Sequence, residues 1–264
     1  MNQDEVCKNC RQTFHGEYCN SCGQKSFKRF SISYLWHGLR DDLFEIEGGL
    51  LLTFRELWTH PGTMVLNYIN GATKKYYSPL KYLIFWTAVY LIIVPFTATS
   101  DSNFSIENLI LNSNPMFTTG SMTDFFYVWG YMMKIRTNIY LMGLIPFLTA
   151  TNYLFQKEIK FNYTEILILH TYFCGQFAFV AIVMTLLSTQ IDSLTINGFK
   201  ISDILIQVPY WYIFLKMQKE FFDKKWTISI FKGVIVLLVG TLFYVVVLYL
   251  IFNGFKYSFR FQLT

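Results

Sequence analysis

Apolar positions along the chain obey different rules in successive stretches. Residues 1 to 26 are polar and carry no hydrophobic periodicity. From Ser31 to Trp58, the residues Ile32, Trp36, Leu39, Leu43, Ile46, Leu50, Phe54 and Leu57 recur at steps of three or four, which predicts a helix with one apolar stripe. Asp41, Asp42, Glu45 and Glu47 lie off that stripe, and Gly48-Gly49 is expected to interrupt it. His60-Pro61-Gly62 reads as a turn, Thr63 to Asn70 as a short helix closed by Gly71, and Lys74 to Pro79 as the approach to the first long apolar run.

Beyond Leu80 the polar residues thin out. Five apolar segments follow, near 80–99, 137–155, 165–188, 201–217 and 228–252, each close to the roughly 20 residues that cross a hydrocarbon core. The fourth is short and contains Pro209, which predicts a kink. Phe125 to Met133 is about half the length of a roughly 20-residue span before Lys134 and Arg136 intervene, and reads as interfacial. The predicted architecture is an all-α integral membrane protein of about five transmembrane helices in a domain over 79–264. A small zinc ribbon over 1–26 and amphipathic juxtamembrane helices over 27–78 precede it.

Composition supports the membrane reading. Hydrophobic residues make up 53% and charged residues 15%, against about a quarter charged in soluble domains. The opening MNQDEVCKNC has no secretory apolar core, so the N-terminus is expected to stay in the cytoplasm. With that orientation, 17 of the 22 lysines and arginines face the cytoplasm and Lys134, Arg136, Lys200, Lys256 and Arg260 face out, as the positive-inside rule requires. The expectation is a bilayer-embedded chain with its N-terminus inside and its C-terminus outside.

The strongest chemical signal is Cys7-x2-Cys10 with Cys19-x2-Cys22. Each pair offers two thiolates from one turn, and two turns close a tetrahedron suited to Zn²⁺, in a closed site that is structural rather than catalytic. A reducing cytoplasm keeps such thiols ready for metal. Lys8, Arg11, Lys25, Lys28 and Arg29 could touch phosphate, but the topology rule already accounts for them, and nucleic acid is not the expected partner.

Other candidates are sparser. His37, Asp41 and Glu45 fall at i, i+4 and i+8 on one predicted helix face, and with His60 they form the only set that could do acid/base or lipid chemistry; a solvated polar face, with His60 a turn histidine, is the favoured reading. His170 lies early in the third span, where it is either a proton or ligand site or an interhelical hydrogen bond. Asn152, Gln176 and Gln207 read as interhelical amides, and Cys174 as a small hydrophobe. No GxSxG, Walker A, HExxH or GxGxxG pattern occurs, so no catalytic residue is assigned.

The segments CKNC and YCNSCGQ, the acidic stretch around His37 and Asp41, HPGT at His60 to Thr63, and YINGATKKYYSPLKYLIF together resemble an uncharacterised bacterial family of multi-pass membrane proteins with an N-terminal zinc ribbon. Gly71, Lys74, Lys75, Tyr76, Pro79 and Tyr82 occupy its Gly-x-x-basic-x-Tyr pattern and the proline before the first span, with lysine where arginine is expected. The resemblance implies a bacterial cytoplasmic membrane and supplies no activity. Three functions compete: a membrane-anchored binding or regulatory protein that docks a cytoplasmic protein partner or a second copy; a transporter or pore-forming channel; and an enzyme acting on a lipid-linked substrate.

Overall fold

A computed structural model describes residues 5–26, 29–32, 49–97, 137–156, 161–191, 195–196 and 199–262. Strands β1 (Glu5–Val6) and β2 (Thr13–Phe14) pair antiparallel, with Glu5 opposite Phe14 and Val6 opposite Thr13, and a single antiparallel bridge joins Tyr18 to Lys25. Seven helices follow among the described residues: α1 (Leu50–Thr59), α2 (Pro61–Ile69), α3 (Pro79–Thr97), α4 (Thr137–Phe155), α5 (Tyr163–Ile191), α6 (Ile201–Phe221) and α7 (Trp226–Gln262). A two-residue hairpin, β3 (Thr195–Ile196) and β4 (Phe199–Lys200), sits between α5 and α6.

The short elements start and stop where local chemistry directs. Gly49 precedes α1, and a Cβ there would meet Lys75 O and Tyr77 N at 2.9 Å, so only glycine lets this helix start lie against the 75–77 backbone. His60 closes α1 by donating its N–H to Glu56 O (2.7 Å) and opens α2 by accepting from Met64 N (2.9 Å). Pro61 takes the first position of α2, where its missing N–H removes nothing. Gly71, at φ 107, turns the chain out of α2, as the sequence predicts for that helix.

Helix α5 is the centre of the body and packs against α1, α2, α3, α4 and α6. The core around it is largely aromatic and includes fully buried Tyr76, Tyr82, Tyr172, Phe173 and Phe214. Helix α7 lies outside, against α4 and α6, and leaves Phe231, Leu238, Leu242 and Leu250 exposed.

Among the described residues, two helices are long and apolar enough to cross a membrane, over Tyr163–Leu187 and Trp226–Ile251. That is fewer than the five apolar segments predicted. The apolar lengths of α3 and α4, Pro79–Ile93 and Tyr140–Phe155, are shorter, and α6 ends in the polar run Lys216, Gln218, Lys219 and Glu220. The predicted interfacial stretch Phe125 to Met133 and the acidic helix around Asp41 lie outside the described residues.

Candidate metal centre

The ribbon is the same turn built twice, twelve residues apart. In the first, Cys7 N–H donates to Gln12 O (2.8 Å) and Arg11 N–H to Cys7 O (2.9 Å); in the second, Cys19 N–H donates to Gln24 O (2.8 Å) and Gly23 N–H to Cys19 O (2.8 Å). The residue after each second cysteine is left-handed, Arg11 at φ 63 and Gly23 at φ 66. These turns bring the four sulfurs within 4.8 Å of one another, with Cys7 to Cys22 at 3.6 Å and Cys10 to Cys19 at 3.5 Å. Tetrahedral thiolates about 2.3 Å from a zinc ion stand about 3.8 Å apart, close to the spacings of these two pairs. All five cysteines are free thiols, and the four clustered ones could hold a metal ion.

Their acidities are split, as expected of sulfurs held this close. Burial pushes the Cys22 thiol up, but the Gln24 backbone, the Asn9 side chain and the Cys10 and Cys7 sulfurs outweigh it and bring Cys22 down to about 6. Cys19 also falls below its usual value: desolvation raises it, while the backbone at Ser21 and Cys22 and the Cys10 and Cys7 sulfurs lower it further. Cys10 moves the other way; the backbone of Gln12 lowers it, but desolvation and the sulfurs of Cys19, Cys22 and Cys7 push it up to about 12. Four mutually repelling thiolates cannot all form alone, and a bound cation removes the obstacle.

The second turn is fastened to the helical body. Gln24 is 2% exposed; its Nε2 donates to Thr73 Oγ1 (2.6 Å) and its Oε1 accepts from the Lys74 N–H (3.0 Å). A second fastening follows the ribbon. Arg29 reaches Glu165 through two bonds, Nε to Oε1 at 2.9 Å and Nη2 to Oε2 at 3.2 Å. Glu165 also caps α5, because its Oε2 accepts from Asn162 N–H while Asn162 Oδ1 accepts from Glu165 N–H, both at 2.8 Å. Asn162 Nδ2 donates to Phe30 O (3.1 Å), and the Phe30 ring stacks on Tyr68 at 5.3 Å.

The segment beneath the ribbon is equally determined. Glu220 of α6 accepts from the N–H groups of Gly62 (3.0 Å) and Thr63 (3.3 Å), which satisfies the open start of α2. A Cβ on Gly62 would lie 2.5 Å from Glu220 Cβ and from Phe221 N, so the HPGT step is a close helix crossing. Buried Tyr76 donates to Glu56 Oε2 (2.7 Å) and accepts from Lys75 Nζ (2.9 Å), while Tyr77 is fixed by Thr53 Oγ1 at its N–H (2.8 Å) and by the Tyr172 hydroxyl at its carbonyl (2.6 Å).

Of the other sequence candidates, His37, Asp41 and Glu45 lie outside the described residues. His60 is an exposed helix joint, with no carboxylate bond among the described contacts. His170 is fully buried; Nδ1 lies 3.2 Å from Thr149 Oγ1 and Nε2 lies 3.3 Å from Asn152 Nδ2. The Thr149 hydroxyl itself donates to Ile145 O (2.8 Å). Asn152 Nδ2 continues to Gln218 Oε1 (3.1 Å), and Gln156 donates to Asn152 Oδ1 (3.0 Å). Gln176 accepts from Tyr82, Gln207 is exposed, and Cys174 is buried against Leu141 O. Sequence reasoning missed Gln24, Glu165 and Glu220, although Asn162-x-x-Glu165 before an apolar run is a readable capping signal.

Residues 47–91 match the family described as "Protein of unknown function (DUF3667)". The match covers α1, α2, the Gly71 to Ser78 connection and most of α3, and includes Thr73 and Lys74, which hold Gln24. No curated protein and no solved structure matches the chain.

Proposed function

We propose that this chain is a multi-pass protein of the bacterial cytoplasmic membrane whose N-terminal zinc ribbon, held at the cytoplasmic end of the helices, is a docking module for a cytoplasmic protein partner. The ion is zinc, with Cys7, Cys10, Cys19 and Cys22 as ligands, since an all-thiolate tetrahedral set favours it and a reducing compartment keeps the set available. The five apolar segments and the positive-inside charge bias support the membrane topology, and α3, α4 and α6 cross with the help of flanking residues.

The observation that carries the reading is the fastening of the ribbon through Gln24 to Thr73 and Lys74. A site closed by four thiolates has no open position for chemistry, so a ribbon fixed to the membrane body serves as a surface rather than a catalyst. A transporter reading finds less support, because both ring nitrogens of His170 are engaged by Thr149 and Asn152.

The test is affinity purification of the intact chain from detergent-solubilised membranes, beside a variant lacking residues 1–26 and a Cys7→Ser variant. A cytoplasmic protein retained by the intact chain and lost from both variants is the expected result. An identical set of proteins from all three removes the docking reading.

A further inference from the structure

Between the first ribbon turn and the end of α2 lies a cleft of about 230 Å³ that none of the four cysteines lines. Three cations line it, Lys8 and Arg11 from the ribbon and Lys75 from the body, together with the amides of Asn9, Asn67 and Asn70, and no aspartate or glutamate is among its described lining residues. Lys75 is engaged by Tyr76 and, at 3.5 Å, by Glu56, and retains a third ammonium hydrogen. Lys8 and Arg11 are exposed.

Two features separate this cleft from an ordinary basic surface. The Gln24 fastening brings the cations of two separately formed elements to line one cleft, where Glu56 balances only Lys75 and like charges oppose the docking. Arg11 also stands at the left-handed position that Gly23 fills in the equivalent turn. Glycine is unstrained there, so the first turn carries a strained arginine, and that residue lines the cleft.

We propose that this cleft binds a phosphate group, borne by a lipid headgroup or by a free phosphate compound. Arg11 supplies a forked pair of donors, Lys8 and Lys75 supply point charges, and Asn70, with the second amide hydrogen of Asn67 beside its bond to the Tyr76 hydroxyl (3.3 Å), supplies neutral donors to the remaining oxygens. The bound anion would neutralise these cations and tighten the contact between ribbon and body. The proposal needs the folded ribbon and no protein partner, so it stands or falls separately from the docking function.

The test uses the full chain, metal-loaded, in a phosphate-free maltoside detergent. One arm titrates inorganic phosphate by calorimetry at fixed ionic strength; the other titrates phosphatidic acid against phosphatidylcholine and counts retained lipid by native mass spectrometry. Saturable binding is expected in at least one arm, and the arm that binds names the source. Lys8→Gln combined with Arg11→Gly should weaken it at least tenfold with metal content unchanged, whereas Lys25→Gln, a ribbon charge outside the cleft, should leave it within twofold. If the double variant sheds its metal, Lys75→Gln carries the same threshold with the ribbon sequence intact. Absence of saturable binding in both arms, wild-type affinity in the cleft variants, or an equal loss from Lys25→Gln overturns the proposal.

Discussion

The ribbon and the helical body solve the same problem, holding a chain in one conformation, with different means. Among the described residues the ribbon buries only Phe14, Cys7 and Cys19 as apolar groups, far too little to offset the ordering of its backbone. The body buries a continuous aromatic and aliphatic core that runs from Phe30 to Tyr244. One is held by a point of coordination and the other by a distributed contact surface, so a single substitution should erase the first and only weaken the second.

The sharpest test removes a sulfur. Cys7→Ser should abolish metal binding and ribbon structure together, because structural zinc contributes about 10–16 kcal/mol of apparent binding free energy in such modules. Elemental analysis should find one metal per chain in the native protein and none in the variant, while circular dichroism should show unchanged helix. Acid should reproduce the effect in the native chain. In the metal-free site the Cys22 pKa is drawn down to about 6, and a bound cation opposes protonation further, so protons displace the metal only below that value; metal retention should decline as pH is lowered and not as it is raised.

In the body, Gly62→Ala forces α2 away from α6 at Glu220 and Phe221, and should destabilise by roughly 1–3 kcal/mol. A lower melting temperature in detergent with full metal content would show that the two regions fail independently; loss of metal in this variant would break the comparison. Gln24→Ala acts on the joint. Water can reach half-buried Thr73 and exposed Lys74, so the loss is about 0.5–1.5 kcal/mol, read as faster trypsin cleavage at Lys25 with the metal retained. Arg29→Ala should give the smallest change, a slight further gain in that cleavage, because the arginine side chain is 58% exposed and solvent screens its pairing.

How much of this could be read beforehand follows from where the determining contacts lie. The paired CxxC turns are local, and their spacing alone announces four sulfurs at one point. Hydrophobic runs likewise announce helices, and the turn at Gly71 follows from a residue free to adopt positive φ. The contacts that assemble these parts join residues 49 positions apart at Gln24 and Thr73, 136 apart at Arg29 and Glu165, and 158 apart at Gly62 and Glu220. Periodicity holds no information about such pairings. Length and hydropathy mark both α5 and α7 as able to cross a membrane, whereas the core segment of α5 is 78% buried within the fold and that of α7 22%. Apolar sequence specifies that a helix leaves water, not whether protein or another apolar medium receives it.

The span between Arg29 and Glu165 also sets an order of events as the chain is made. At about 5–20 residues per second, roughly 7–27 seconds of synthesis separate the emergence of these partners. The ribbon's four cysteines are complete by residue 22, and Thr73 follows long before Glu165. Metal capture, closure at Gln24 and closure at Arg29 therefore become available in that sequence, and the last marks α5 as the helix whose arrival completes the cap over the N-terminal module. A chain stalled before residue 165 would carry a loaded ribbon already seated at Thr73 but still open on its second side.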